Sequence, residues 1–388
     1  MLDLTFNQEQ EMLREVVRSL CATHAPASVV REMEDDPVGF PAPLWKQLAA
    51  LDLTGLLLPE AHGGAGMSLL EGVVLYQELG RALAPSPHFV SCVLSGGVLA
   101  EAGTADQQAT WLPRIVSGDA VVTPAWLEPD GGFGPRGVRG TTAVRDSGGG
   151  GWRLSGVKRH VSFARAATRL LVLARTGEPS DDGDDIELFL VDPNADGVTL
   201  AQQHTIASDT QFQVELADVH VADSDRVGTP GSVEGPGAGW SGWEAVRDDA
   251  LTLLAAWAVG AAEQAQEVTV QYAKDRQQFG KPIGAFQSIA HYLADRQTEL
   301  DGARTLVHHA AWARATGRPA ARHAAMAKLH ACSMLRDLTA TAQQIFGGVG
   351  FTLEYDIQLY FRRAKAVQIG WWDDRYLEEL IATDILDT

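Results

Sequence analysis

The stretch YAKDRQQFGKPIGAFQ, residues 272–287, interrupts an alanine-rich helical pattern with side chains that could do chemistry. Its distinctive residues are Arg276, Phe279 and Gln287. A guanidinium forms paired, charge-assisted hydrogen bonds with phosphate oxygens. Taken alone, an Arg-x-x-Phe-Gly segment is more often a surface arginine before an ordinary helix stop, so this stretch needs a second signal.

The second signal is QQIFGGVGFTLEYDIQLYFRRAK, residues 343–365, which contains Gln344 and the glycine pair Gly347 and Gly348. Paired glycines let a backbone approach a phosphate closely and offer N–H groups to it. By itself the glycine segment is typical of a turn. Together, the two stretches could hold the pyrophosphate of a dinucleotide.

The first part of the chain, residues 1–118, is predicted to be an all-helical domain. Asn7 and Gln10 form a candidate capping pair at the start of the first helix. Apolar residues at three- and four-residue spacing, separated by Pro and Gly clusters, predict helices at 6–20, 42–53, 68–82, 88–102 and 105–117.

Residues 119–231 change character, because short segments rich in β-branched residues alternate with Gly- and Asp-rich turns. They predict a small β domain, a barrel or sandwich, that ends at the Gly/Pro-rich segment 228–242. The remainder, 232–388, is predicted to form an antiparallel four-helix bundle. Its long helical patterns lie at 243–275, 284–316, 320–346 and 354–383. The expected fold class is therefore α+β and multidomain.

Composition excludes several kinds of partner for this chain of 388 residues. A net charge of −19 argues against nucleic acid or an anionic membrane as the main partner. The longest apolar run is too short to span a bilayer, and the N-terminus lacks a signal-peptide pattern, so a cytoplasmic protein is expected. The cysteines, Cys21, Cys92 and Cys332, are too far apart to indicate a disulfide framework or a metal site.

Nearly the whole chain resembles the acyl-CoA dehydrogenase family. The first stretch resembles the motif in which one helix of that family's bundle ends at Phe-Gly and the next begins near Pro-Ile. The second resembles its Gln-x-x-Gly-Gly-x-Gly-Phe segment and the Arg-x-Ala-Lys beyond it. Further similarities lie in LPEAHGGAGMS (58–68), Glu128-Pro129, GWRLSGVKRHVSFARAATRLLVLAR (151–175) and LADVHVADSDRVG (216–228).

The resemblance implies an FAD cofactor and an acyl-CoA substrate. In the family, the positions of Arg276, Phe279 and Gln344 with Gly348 grip the ADP part of an FAD that belongs to a neighbouring subunit. Gln287 and Gly347 fall in the same two motifs and are assigned to the cofactor with them.

The middle domain departs from the family's pattern where that pattern meets the flavin. Leu127 stands where the family has the Thr of Thr-Glu-Pro. His160-Val161-Ser162 replaces Trp-Ile-Thr, which leaves the Ser162 hydroxyl as the one retained feature. Leu127 and Ser162 are therefore expected beside the cofactor, while His160 is either a polar group of the site or a strand surface residue.

The family's reaction needs a carboxylate that removes the α-proton of the thioester, and neither usual position carries one. Trp371 stands at the commonest position of the catalytic Glu, and Ala250 at the alternative position on the preceding helix. The candidates that remain are Asp373, close to the first position, and Asp249, beside the second. A step of one residue along a helix turns a side chain by ~100°, which weakens the second candidate.

Three functions stay open from the sequence. The chain could be an active acyl-CoA dehydrogenase with an unusual base, a non-catalytic chain that shares FAD with an active sister chain, or a flavin oxidase or cofactor-free enzyme on the same scaffold. The resemblance implies a homodimer, a homotetramer or a heterotetramer with a sister acyl-CoA dehydrogenase chain, and an electron-transfer acceptor protein as partner.

Overall fold

The computed structural model of the protein describes residues 6–148, 150–228 and 239–386. It divides the chain into two compact units. The bundle unit comprises Met1–Arg31, Ser68–Ala84 and Leu251–Thr388, and the sheet unit comprises Glu32–Met67 and Pro85–Ala250. The predicted boundary segment 228–242 lies outside the described residues over 229–238, and the division into three domains stays a prediction.

The helices of the first third follow the predicted segments closely. Asn7 and Gln10 form the expected capping box at the start of the first helix, with each side chain accepting a hydrogen bond from the other residue's backbone N–H. One segment is irregular, since residues Phe89–Ser95 form a π-helical turn before the next helix. The helices are α1 (Gln8–His24), α2 (Ala27–Glu32), α3 (Ala42–Ala50), α4 (Leu69–Arg81), α5 (Gly96–Ala102) and α6 (Ala105–Val116).

The sheet unit is built around one seven-stranded sheet. Its strands are β1 (Val122–Ala125), β2 (Thr142–Arg145), β3 (Trp152–Ser162), β4 (Arg169–Arg175), β5 (Ile186–Val191), β6 (Val198–Gln203) and β7 (Gln211–Val221). They are ordered β1-β4-β2-β3-β7-β6, with β5 on β4. In β7, Phe212, Val214 and Leu216 are buried in the core and alternate with less buried neighbours, as their spacing predicts.

The last third forms the helices α7 (Gly239–Ala245), α8 (Arg247–Asp275), α9 (Gln287–Ala315), α10 (Ala321–Phe346), α11 (Ile357–Ile369) and α12 (Asp374–Leu386). A short hairpin, β8 (Gln277–Gln278) and β9 (Lys281–Pro282), separates α8 from α9. The prediction of one continuous helix over 354–383 was wrong, because this segment forms the two helices α11 and α12. It breaks at residues 370–373, where Trp371 and Trp372 both have positive φ.

Glycines bring α4 and α8 of the bundle unit into backbone contact. A Cβ placed on Gly80 would lie 2.0 Å from the carbonyl oxygen of Trp257, and one on Gly260 would lie 1.8 Å from that of Gln77. Only glycine fits at both places, so the helices pack closely along this seam.

The expected fold class is confirmed, with helical N- and C-terminal parts on either side of a β domain in the sequence. Among the described residues, no helix is both long and apolar enough to cross a membrane.

Candidate functional site

The Phe-Gly turn of the first stretch is a β-hairpin and not a direct helix-to-helix corner. Gln277 pairs with Pro282 and Gln278 with Lys281, which leaves Phe279 and Gly280 as a two-residue loop. Both loop residues have positive φ, 52° and 76°, the combination of a type I′ turn. A phenylalanine costs about 1–2 kcal/mol in that conformation. In this conformation the Phe279 ring projects into solvent and is 93% exposed.

Arg276 has a fixed backbone and a side chain available for a ligand. Its N–H donates to the carbonyl of Tyr272 at 2.9 Å, and its own carbonyl accepts from the N–H of Ile283 at 2.9 Å. The side chain is exposed, and no carboxylate of the described residues pairs with its guanidinium. Such a cation suits an anionic ligand that comes from outside the chain.

An aromatic stack joins this hairpin to the glycine segment. The rings of Tyr272, at the end of α8, and Phe346, at the end of α10, lie 4.1 Å apart at 14°. The Tyr272 hydroxyl also donates to the Phe346 carbonyl at 3.4 Å, and Tyr355 meets both rings edge-on. The stack therefore makes the two motifs neighbours, and no sequence pattern indicated this role for the two aromatics.

The glycine segment presents an open face. Gln344, Gly347 and Gly348 are exposed, whereas the adjacent Gln343 is 4% exposed with neither amide atom hydrogen-bonded. A Cβ at Gly347 or Gly348 would meet nothing within 4 Å, and Gly347 has φ +65°. Because backbone is accessible in this segment, and the stack joins it to the segment that carries the Arg276 guanidinium, the residues fit a phosphate-bearing ligand such as the expected ADP part of FAD.

Gln287 lies at the start of α9, exposed, directly after Phe286. Phe286 contacts Phe279 edge-on at 6.2 Å and carries the Lys281 ammonium 4.2 Å from its ring centroid. All six candidates of the two motifs thus belong to the bundle unit. Leu127, Ser162 and Asp249 belong to the sheet unit.

In the sheet unit, a buried carboxylate shapes the segment after Leu127. Glu128 accepts hydrogen bonds from the Lys158 ammonium at 2.8 Å and from the backbone N–H groups of Arg139, Gly140 and Thr141. Lys158 is fully buried, and burial lowers its pKa to about 8 despite the carboxylate. These hydrogen bonds tie the segment that begins at Leu127 to residues 139–141 and to β3.

A β-bulge in β3 positions Ser162. Lys158 pairs with Val214 and Val161 with Phe212, so two residues of β3 lie opposite one of β7. In the bulge, the N–H of Arg159 donates to the Leu127 carbonyl at 2.8 Å. Ser162 follows it, nearly buried, and its carbonyl accepts from the Thr123 hydroxyl. The bulge thereby links both flavin-facing candidates of this unit.

The position where the family carries its usual catalytic Glu holds a tryptophan in an unusual turn. Trp371 and Trp372 have φ of 52° and 70°, at a cost of about 1–2 kcal/mol each. Trp372 is 1% exposed. Asp373 caps the next helix, because its carboxylate accepts the N–H of Tyr376 at 3.0 Å. The carboxylate therefore has a structural use in this turn.

The side chain of Lys328, on α10, binds the backbone of the same turn. It is fully buried and donates to the carbonyls of Gln368, Gly370 and Trp372 at 2.9, 3.3 and 2.7 Å. Burial lowers its pKa. Because the hydrogen-bond partners of the ammonium within the described part of the chain are all backbone carbonyls, it holds the backbone of the turn directly.

Asp249 lies in the first turn of α8, half-buried, and Ala250 beside it is fully buried. The structure does not test whether Asp249 or Asp373 acts as a base. Lys328, Tyr272 and Phe346 are the residues that sequence reasoning missed. Their only signals were a lysine within an apolar helical pattern and aromatics next to the recognised motifs.

Comparison with known proteins gives matches along nearly the whole chain. Three acyl-CoA dehydrogenase domain families match in order: the N-terminal domain over residues 7–119, the middle domain over 124–219 and the C-terminal domain over 241–386. An acryloyl-CoA reductase (NADH) of Anaerotignum propionicum is 30% identical over 389 residues, which cover 99% of this chain and 96% of that protein.

Two further relatives have the same extent. The probable acyl-CoA dehydrogenase YngJ of Bacillus subtilis is 30% identical over 394 residues, 99% of this chain and all of that protein. Among solved structures, a chain of the ChsE4–ChsE5 complex from Mycobacterium tuberculosis has a TM-score of 0.87 at 26% identity, and the match covers 100% of this chain and 99% of that one.

We predict that Glu128→Gln flattens the acid limb of the stability profile. Burial alone would raise the pKa of Glu128, but Lys158 and the N–H groups of Gly140 and Arg139 lower it to about 2. An unfolded glutamate takes up its proton near 4.5, so the unfolded state is the more protonated one between these values. The free energy of unfolding should fall as pH decreases through this window in the parent protein.

Urea titrations at several pH values measure this effect. The substitution should also cost about 3 kcal/mol at neutral pH, because it leaves the Lys158 charge buried and unpaired. Asp181→Asn is the control, since Asp181 and its partner Arg136 are both exposed, and it should leave the profile nearly unchanged. An unaltered acid limb in Glu128→Gln would contradict the assignment.

We predict that Lys328→Met destabilises the protein by about 2–4 kcal/mol, since three buried carbonyls lose a charged donor. Hydrogen exchange should accelerate at residues 368–373 more than elsewhere. Lys365→Met is the control, because Lys365 is exposed and donates to the Gln368 side chain at 3.0 Å, with no bond to a carbonyl of the turn among the described residues. It should change stability by under ~0.5 kcal/mol. Equal exchange in both variants would show that Lys328 does not hold the turn.

Proposed function

This chain belongs to the acyl-CoA dehydrogenase family, and from that premise we propose that it takes part in FAD-dependent α,β-dehydrogenation of an acyl-CoA thioester. The observation that carries the proposal is the stack of Tyr272 on Phe346 in the bundle unit, which joins the segment with the exposed Arg276 and Phe279 to the segment with the accessible glycine pair. FAD supplies the acceptor for the hydride that leaves the substrate's β-carbon. The chain's residues supply binding.

The bundle unit grips the ADP part of an FAD held mainly by a neighbouring protomer. Arg276 pairs with the pyrophosphate, while Gly347 and Gly348 allow the backbone to approach it. Exposed apolar side chains follow the glycine pair within a few residues of the sequence. They include Phe351 and Leu353, of which Leu353 is 75% exposed. Apolar side chains exposed next to a binding motif favour an interface, so the site is completed by a second chain.

The chain supports the reaction and does not itself remove the α-proton. Trp371 stands where the family carries a catalytic Glu, and the turn around it is secured by Lys328. The ChsE4–ChsE5 relative is a complex of two different chains. We therefore propose that this chain pairs with a sister acyl-CoA dehydrogenase chain that carries the base, and that the assembly passes its electrons to an electron-transfer acceptor protein.

A second candidate is catalysis by this chain with an aspartate as the base. The observation in its favour is that Asp373 lies in the secured turn, two residues after the position of the family's Glu. Asp249 is the alternative, because it is next to the position of the other known base. A homo-oligomer would then suffice.

We predict that Arg276→Gln lowers flavin retention at least ~10-fold when the chain is co-purified with its sister chain, because a charge-assisted contact to the pyrophosphate is lost. The flavin absorbance per assembly measures this. Arg375→Gln removes the same charge from an exposed position on α12 and should retain flavin at the parent level.

Two results would count against the proposal. One is undiminished flavin in Arg276→Gln in every assembly prepared. The other is a fully flavin-loaded, active homo-oligomer of this chain alone, which would favour the second candidate.

Asp249→Ala combined with Asp373→Ala separates the two candidates. If the chain only supports a sister chain, turnover of acyl-CoA thioesters by the joint assembly, followed with an artificial electron acceptor, should persist within a factor of about 3, because no proton transfer is lost. A loss of 100-fold or more at unchanged flavin content would show that one of these aspartates is the base. The single variants then identify which.

A further inference from the structure

His160 is held in an unusual backbone conformation at the bulge of β3. Its φ is 56°, in the left-handed region, and its backbone N–H donates to the side-chain oxygen of Gln203 at 2.8 Å. Histidine is among the residues that tolerate this region better than most, but the conformation is still sparsely populated. Such positions persist where the surroundings over-determine them, and they cluster at ligand sites.

The ring of His160 is the end of a hydrogen-bonded relay. Its Nδ1 lies 2.8 Å from Oε1 of Gln211, and Nε2 of Gln211 donates to the carboxylate of Asp209. The other oxygen of Asp209 accepts from the Thr205 hydroxyl at 2.5 Å. All members belong to the sheet unit.

The relay determines where the imidazole carries its proton. A carboxylate only accepts hydrogen bonds, so Asp209 fixes the amide of Gln211 with its N–H₂ toward Asp209 and its oxygen toward His160. That oxygen can only accept, and therefore Nδ1 of His160 must be the protonated nitrogen. In the neutral ring, Nε2 then carries a lone pair and no hydrogen.

We propose that His160 is a hydrogen-bond acceptor, through Nε2, for an N–H or O–H donor of the ligand that the sheet unit binds. The Asp209–Gln211 pair acts as its positioning device, since it sets both tautomer and ring orientation. The identity of the ligand rests on the proposed function, because His160-Val161-Ser162 replaces the segment that faces the flavin in the family. A flavin ring carries such an N–H. The tautomer rests on the structure alone.

The first test is the tautomer. With ¹⁵N-labelled histidine, and His160→Gln to assign the signal, the neutral His160 ring should show a protonated Nδ1 and a bare Nε2. Gln211→Leu should remove that preference. Gln213→Leu changes the neighbouring glutamine of the same strand, which lies opposite the bulge but, among the described residues, forms no hydrogen bond with the His160 ring, and it should leave the preference intact. A protonated Nε2 in the neutral parent ring would overturn the proposal.

The second test is the ligand. FAD, added to the chain co-assembled with its sister chain, should shift the His160 Nε2 signal, and His160→Phe should weaken FAD binding ~10-fold through the loss of one hydrogen bond. A His160 signal that does not respond to FAD, but does respond to an acyl-CoA thioester, would identify the thioester as the donor ligand. A signal that responds to neither would overturn the acceptor role.

The His160 proposal and the cofactor-sharing proposal can be refuted separately. Arg276→Gln acts on the bundle unit and reports flavin retention, whereas the tautomer is read from one ring in the sheet unit without any ligand. If the His160 ring has the expected tautomer but Arg276→Gln retains flavin at the parent level, only the cofactor-sharing proposal is refuted. A wrong tautomer with strong loss of flavin in Arg276→Gln would refute the His160 proposal alone.

Discussion

The candidate surface of the bundle unit depends on one contact, the stack of Tyr272 on Phe346. Such a pair adds only about 0.5–1.5 kcal/mol beyond its buried area, so its importance is geometric. Tyr272 is one helical turn before Arg276, and Phe346 immediately precedes Gly347. Without the stack, the β8–β9 hairpin and the end of α10 would each keep their local hydrogen bonds. The stack, with Tyr355 against both rings, joins the segment that carries Arg276 to the segment that carries the glycine pair.

Over the described residues of the bundle unit, adjacent residues with positive φ occur in two turns, and these turns are stabilised by different means. At Phe279 and Gly280, the paired strands of a type I′ hairpin set the backbone. At Trp371 and Trp372, the end of α11 is unusual, because its cap Gly370 is extended (φ −85°, ψ 160°) and forms no left-handed cap. The terminal carbonyls therefore need another donor. Lys328 supplies it, at the expense of burying a charge.

The sequence predicted the elements well and their junctions less well. Helices with capping boxes or long apolar periodicity, such as α1 and α4, appear within a few residues of the expected limits, because the signals are local. The helical pattern placed the two helix limits at 275 and 284, close to the observed Asp275 and Gln287, but it did not predict the β8–β9 hairpin between them. A type I′ turn is usually announced by Asn-Gly or Asp-Gly, and phenylalanine in its first position gives no such signal.

The residues of the candidate site also fall into those that the sequence predicted and those that it did not. Arg276, Phe279 and the glycine pair were found through motifs. The break at Trp371 was missed, because two bulky residues with positive φ cannot be anticipated from propensity. What secures that break is Lys328, about forty residues earlier, a distance at which no periodicity argument operates. The relay from Asp209 to His160 was equally hidden, since it needs a bulge to bring β3 and β7 into the right register.

The supports of the site share one property that explains how a chain can keep a family's fold while its chemistry changes. Lys328 binds carbonyls, Glu128 binds backbone N–H groups together with one lysine, and the hairpin is held by its own backbone pairing. The backbone of each of these segments is therefore held largely through its own amide groups and carbonyls. A tryptophan at position 371 is compatible with this kind of support, because Lys328 donates to carbonyls of the turn. Similarity along the whole chain shows the family, and the base must be located by its own side chain.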